Sequence, residues 1–236
     1  MALSTPKIVL LVLAVIVLVC ACAVGVSQAL QRSETATTTI RRAVDRIVIA
    51  ADAGDIRLHG TPGRAVHIRR HSRWLWRRPH VRTTLRGRTL EVRGDCPTPA
   101  SFGHCAADLA VGVPPGVDVR VRAIAADVTA TGLTGALDLH TDAGDVRGDA
   151  LTPVTVAAAT DAGAVDLRLR STPVRLNAES AAGDVTVTVP AGGEYRVDAS
   201  SAAGRVDVGG VLRNDHAVRR IVARTAAGDV RVRGRG

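Results

Sequence analysis

Aromatic side chains are nearly absent from this chain: two Trp, one Tyr and one Phe in 236 residues. A bulky core built around rings is thereby excluded. The interior falls to Val, Leu, Ile and Ala, side chains that suit pleated surfaces. Lysine is scarcer still, since Lys7 stands alone and 30 of the 31 Lys and Arg residues are arginine. The formal charge of +9 bears on solubility and on attraction to anions, not on fold. Helical patterning is missing too. From Ala43 onward no stretch keeps apolar residues at i, i+3, i+4 and i+7 for three turns. Catalytic signatures are also lacking: there is no HExxH, no GxSxG elbow, no P-loop and no GxGxxG between a strand and a helix. Of the seven histidines only His67 and His71 stand four apart, without the Glu of HExxH and in a segment that reads as a strand. We therefore expect no enzyme, no catalytic residue, no metal ligand and no cofactor.

What is present begins at the N-terminus. Ile8 to Val26 is an unbroken apolar run of 19 residues. At about 1.5 Å per residue a helix of that length spans a hydrocarbon core of roughly 30 Å. A single-pass anchor is the favoured reading. A cleaved signal peptide stays open, as does a lipoprotein signal at Cys22, which follows Val19-Cys20-Ala21. We assign residues 1–30 to the anchor, 31–42 (QRSETATTTIRR) to a polar linker and 43–236 to a β-repeat domain. Flanking charge does not settle orientation. Cys96 and Cys105 bracket CPTPASFGHC, and two cysteines so close suggest a disulfide and an oxidising compartment; two free thiols are the alternative. One nearby histidine, His104, falls short of a structural zinc site. The expected location is the cell membrane, with the C-terminal domain outside the cytoplasm.

Internal repeats set the architecture. The glycines of successive Ala-Gly pairs are Gly54, Gly144, Gly163, Gly183, Gly204 and Gly228, and Ala126 holds the same frame without glycine. From Ala126 onward the steps are 18, 19, 20, 21 and 24 residues, enough for two short strands and two corners. Seven and five residues before the reference the columns are aliphatic, as in Leu137 and Leu139 or Leu176 and Ala178. Three before are mostly Thr or Ser (Thr141, Thr160, Ser180, Ser201, Thr225), and one before is always Ala. Odd offsets share one strand face, so that face tapers toward an inside corner at glycine. Apolar residues resume two after the reference, as in Val146 and Val185. The fold expected is all-β, a stacked β-repeat or β-solenoid-like domain after an N-terminal transmembrane helix. Regular repeats would fill 116–236 and an irregular end layer 43–115, with an antiparallel sandwich as the alternative. Calcium at the DAGD corners would need carboxylates in every coil, and Ala164 and Arg205 interrupt them. Turn-favouring Asp that caps backbone amides is the reading preferred.

One segment looks site-like. Between Arg64 and Arg93 lie ten arginines, the single acid Glu91, and both tryptophans. Candidates for binding an anionic surface are Arg69, Arg70, Arg73, Trp74, Trp76, Arg77 and Arg78, with the two rings expected on one face. The plainer reading is that the ring face packs while the arginines are solvated. Nucleic acid is not expected as a partner.

These residues resemble the bacterial putative-adhesin family of β-strand-repeat domains, above all its actinobacterial membrane-anchored members. The resemblance lies in AADAGDIRLHG, RRHSRWLWRRP, the GRTLEV hairpin, the Cys-bracketed loop, VGVPPGVDVRVRA and the SAAGDV corners. It covers nearly all of 43–236 and implies a stacked β fold, surface placement and no catalytic residues. The functional expectation is a non-enzymatic cell-envelope surface domain, an adhesin or scaffold. The alternative is an envelope-stress signalling accessory that binds a membrane protein or an anionic envelope polymer through the Arg/Trp segment.

Overall fold

A computed structural model describes residues 32–97 and 105–235. The expected anchor at 8–26 lies outside them, and among the described residues no helix is long and apolar enough to cross a membrane. The chain opens with β1 (Arg32–Ile40), β2 (Arg46–Ala53), β3 (Ile56–Gly60), β4 (Val66–Trp74), β5 (His80–Arg86), β6 (Thr89–Asp95) and β7 (Cys105–Val113). Strand pairs then follow, each pair one coil: β8 (Asp118–Ala125) with β9 (Val128–Thr131), β10 (Leu137–Ala143) with β11 (Val146–Leu151), and β12 (Thr155–Ala162) with β13 (Val165–Leu169). β14 (Arg175–Ala182) goes with β15 (Val185–Pro190), and β16 (Glu194–Ala203) with β17 (Val206–Gly209). After the short β18 (Leu212–Arg213), β19 (Arg220–Ala227) and β20 (Val230–Arg235) close the domain.

Two ten-stranded sheets result. One runs β1-β4-β7-β3-β9-β11-β13-β15-β20-β17, the other β18-β16-β19-β14-β12-β10-β8-β2-β6-β5. Repeats stack in parallel, with Leu137 between Val119 and Val156 and Leu139 between Val121 and Ala158. The parallel register excludes the antiparallel sandwich. Alternation does the packing: β10 buries Leu137, Leu139 and Thr141 and leaves Asp138 and His140 half-buried. Among the described residues the core is one aliphatic cluster whose only aromatic ring is that of Tyr195.

The corners are held by three kinds of contact between neighbouring coils. First, glycine permits close approach. At Gly183 φ is +151°, and a Cβ there would lie 1.9 Å from the carbonyl oxygen of Gly163. Second, the hydroxyl column donates across the stack: Thr141 to the carbonyl of Ala126 (2.9 Å), Thr160 to Gly144 (2.8 Å) and Ser180 to Gly163 (2.9 Å). Thr225 donates to Gly183 and Ser201 to Gly228, both at 2.8 Å. Third, Asp145, Asp184 and Asp229, each just after a corner glycine, accept an amide from the next coil. The Ala164 amide reaches Asp145 Oδ1 at 2.8 Å, and that of Asp229 reaches Asp184 Oδ1 at 2.8 Å. The other oxygen of Asp145 takes Arg147, and that of Asp229 takes Arg231 at 2.6 Å. The recurring Gly-Asp-Val-Arg is thus a clamp between coils, with both carboxylate oxygens used.

Four expectations need correction. The linker 31–42 is largely strand, since Arg32–Ile40 pairs antiparallel with β4 in full register. Its Thr and Ser hydroxyls and β-branched side chains suit an exposed edge, where apolar periodicity is not required. The end layer 43–115 is divided: β2 and β3 form a regular coil between β6/β7 and β8/β9, and antiparallel β1, β4 and β5 cap the end. Stacking order also departs from chain order, because β19/β20 inserts between β14/β15 and β16/β17. The Asp clamp accounts for this order. Asp184 accepts from Asp229, and Asp229 accepts from Arg205 at 2.9 Å. Among these three coils the one without a carboxylate, at Arg205, comes last, where no further amide needs one; the β12/β13 coil, with Ala164, also lacks one but lies within the stack. Finally, the alanine before each glycine is not inward. Ala125, Ala143, Ala162, Ala182, Ala203 and Ala227 are exposed, because the chain has already turned and the Thr or Ser two residues earlier fills the corner. Nothing in the structure explains the preference for a methyl group there.

The tight position is therefore the glycine. Gly183→Ala should destabilise the domain by about 3 kcal/mol or more, through overpacking against backbone and an unfavourable φ. Ala182→Leu, at an exposed site, should stay within about 0.5 kcal/mol. Chemical denaturation of the two variants tests the assignment, and equal losses would refute it.

Candidate functional site

The Arg/Trp segment occupies the capped end of the stack. β4 runs antiparallel to β7 with Trp74 opposite Cys105, and β1 runs antiparallel to β4 with Arg32 opposite Trp74. β5 continues on the other sheet, with His80 opposite Asp95. Residues 75–79 therefore cross between the sheets beside Cys96 and Cys105, which are bonded with Cα atoms 6.0 Å apart. In β6 the inward residues run Leu90, Val92, Gly94, beside Ile47, Ile49 and Ala51. Cys96 comes two residues later, the frame that Ala53 holds in the next coil. The Cys96 amide donates to Asp52 at 2.9 Å. The disulfide thus closes, by a covalent bond, the corner that Ala-Gly closes elsewhere.

The seven nominated residues separate by role. Arg73 pairs with Asp108 at 2.9 Å, and Asp108 also accepts the amide of Asp55, so Arg73 caps the first rung of the Asp ladder. Arg70 donates to the Val81 carbonyl at 3.2 Å and ties the two sheets together at their end. Arg78 lies 5.6 Å over the Trp74 ring and also pairs with Glu34 of β1. Such a stack is worth about 0.5–1 kcal/mol at an exposed site. These three arginines are structural. Trp74 is half-buried, whereas Trp76 is 87% exposed, so the rings do not share a face. The chain leaves extended structure after Trp74, and the alternation that would align the rings ends there. Arg69, Trp76 and Arg77 remain exposed, and neither arginine has an acidic partner among the described residues. Residues 1–31 and 98–104 contain no Asp or Glu that could supply one.

Two other surfaces were not foreseen. Ala50, Arg122, Ile124, His140 and Asp142 line a shallow open depression on the outer face of the second sheet, where small residues lie between longer ones. Beside it Asp138 holds Arg120 at 2.8 Å and Arg122 at 2.9 Å. At the uncapped end of the stack Val206, Leu212 and Val218 are exposed by 46, 57 and 87%. The 24-residue step before Gly228 and the missing Asp at Arg205 were the sequence signals of that end. Among the described residues no three His, Cys, Asp or Glu side chains converge as a metal site.

The architecture has relatives. The family described as Toastrack DUF4097 matches residues 39–233. The chain belongs to this toastrack family. No curated protein matches it. A solved structure of a "putative cell adhesion protein" from Clostridium sporogenes is similar at 10% identity and a TM-score of 0.56, covering 87% of this chain and all of that one. A "putative adhesin" from Bacteroides fragilis is similar at 14% identity and a TM-score of 0.52, covering 84% of this chain and 97% of that one. At those identities the likeness is one of fold. In toastrack terms, the match takes in the regular coils, the cap strands β4 and β5 and the disulfide-closed corner.

Two predictions concern what holds this toastrack domain together. Replacing Cys96 and Cys105 together by Ser should cost about 2–3 kcal/mol, the loop-closure value for a ten-residue ring. Denaturation with and without reductant checks it, since the double variant should lose its sensitivity to reductant. The second concerns acid. The Asp184 carboxyl is held below its ordinary value by the Asp229 amide and by Arg231. For Asp138 burial acts upward, but Arg122 and Arg120 outweigh it and the net shift is down. Carboxylates whose folded values are depressed contribute stability that is full above the unfolded value, near 3.8, and lost as pH falls through the folded values. Melting temperature should therefore hold from pH 7 to about 4.5 and fall steeply below. Asp184→Asn, which keeps an amide acceptor but cannot ionise, should make the fall shallower.

Proposed function

We propose that this toastrack protein is a non-enzymatic, membrane-anchored surface domain of the cell envelope that acts as an adhesion or scaffold element outside the cytoplasm. The observation that carries this reading is the rigid stack itself. Two long parallel sheets are locked coil to coil by hydroxyls, carboxylates and one disulfide, and their outer faces bear fixed ionic rungs such as Arg120 and Arg122 on Asp138. Such a surface is preorganised for broad contact, which lowers the ordering cost of binding. The disulfide suits an oxidising compartment. The apolar run at 8–26 supplies the anchor, and similar folds in two proteins described as putative adhesion proteins agree with the role.

Full-length protein in bacterial cells tests the proposal. In spheroplasts an impermeant protease should remove the domain while cytoplasmic markers survive. Cells making the protein should also be retained on immobilised envelope polymer or on other cells more than cells making only residues 1–42. A domain cleaved only after lysis, or retention no different from that control, would overturn the reading.

A further inference from the structure

We infer that the Trp76-Arg77 tip docks on anionic phospholipid headgroups of the membrane that residues 8–26 would span, and so fixes the capped end of the stack as the membrane-proximal end. This inference rests on the reading of 8–26 as a membrane span. The geometry that supports it is the register of β1. Arg32, the first described residue, lies opposite Trp74. Six peptide steps separate Val26, the last residue of the apolar run, from Arg32. A fully extended chain covers at most about 3.3–3.6 Å per step, so the start of β1 lies within roughly 20 Å of the end of that run. The Arg/Trp loop begins at the neighbouring position in the sheet. Chain length alone therefore keeps it near the membrane.

The chemistry of the tip fits that place. Trp76 is 87% exposed and is the one exposed aromatic ring among the described residues. An exposed indole costs little at the headgroup layer, where its apolar body and N–H are both accommodated. Arg77 beside it has no acidic partner, while Arg73 and Arg78 are neutralised within the domain. Arg32 and Arg69, also exposed and without an acidic partner among the described residues, add positive charge along the same two strands. The tip is held rigidly from behind: Pro79 is buried, Arg78 covers Trp74, and the disulfide closes the adjacent corner. One ring and one or two arginines make a weak contact by themselves. Such contacts orient a domain when a second attachment keeps them near the surface. With strands about 4.8 Å apart, the open end with Val206 and Leu212 lies about 38 Å along the stack from β4.

The test uses the full chain carrying Trp74→Phe, which leaves Trp76 as the sole tryptophan and keeps a ring beneath Arg78. Reconstituted into bilayers with a fraction of phosphatidylglycerol and headgroup-spin-labelled lipid, its Trp76 fluorescence should be quenched. Quenching should fall roughly twofold or more with Arg77→Glu, at high salt, or in purely zwitterionic bilayers. Flotation with the vesicles at high salt reports the membrane span separately. Protein that fails to float refutes the span. Protein that floats with Trp76 unquenched, or shielded only when soluble anionic envelope polymer is added, refutes lipid docking. A circular dichroism spectrum equal to that of wild type confirms that each variant is folded.

Discussion

At each regular corner a backbone carbonyl of one coil occupies the space where a Cβ of the next coil would otherwise sit. The rest of the domain depends on that approach. Parallel strands must run at one spacing for the length of the stack, and a side chain at the corner would wedge successive coils apart. With glycine there, the corner carbonyls of Ala126, Gly144, Gly163, Gly183 and Gly228 come within reach of the Thr and Ser hydroxyls above them. Those carbonyls sit at a bend, that of Ala126 in a buried contact and the others in part-buried ones, and lie outside the strand ladders. An unpaired polar group there would cost about 1–3 kcal/mol, so the hydroxyl column answers a need that the glycine column creates.

The aspartates add direction. A hydroxyl donating to a carbonyl is local, but a carboxylate that accepts from the next coil must have a next coil. Asp184, Asp229 and Arg205 fall in the one order that gives every carboxylate a donor and leaves the arginine at the terminus. Chain connectivity would have put β16/β17 before β19/β20. The polar complementarity of the corners is met only by the exchanged order, and the long segment between Gly204 and Gly228 lets the chain make it. The cost is visible at the open end, where Val206 loses the cover its counterparts enjoy.

The opposite end shows a different solution to the same edge problem. Antiparallel β1 and β4 extend one sheet beyond the outermost coil and β5 extends the other, and arginines complete the closure: Arg73 on Asp108, Arg70 on the Val81 carbonyl, and Arg78 between Glu34 and Trp74. An arginine-rich segment with few acids had the look of a binding patch. Most of it is structural, because a cap that meets carboxylates and bare carbonyls needs donors, and the planar guanidinium supplies several at once. At the tip of the loop the unpaired charge of Arg77 stands beside a bare ring.

Periodicity alone determined that the chain is all-β, that its inward columns are aliphatic, and that glycine marks the corners. Those features repeat because each coil meets the same local geometry. The sequence also showed the clamp residues, Thr141 and Asp145 among them, although not which partners they take. The tertiary structure decided what is not periodic. It made a strand of residues 32–40, since an exposed edge strand needs pairing and no buried face. It turned the alanines outward, since a bend changes side-chain direction without changing spacing. It exchanged the last two coils and sorted the arginines into caps and a free tip, because those outcomes depend on which distant residues become neighbours, and spacing along the chain does not contain that information.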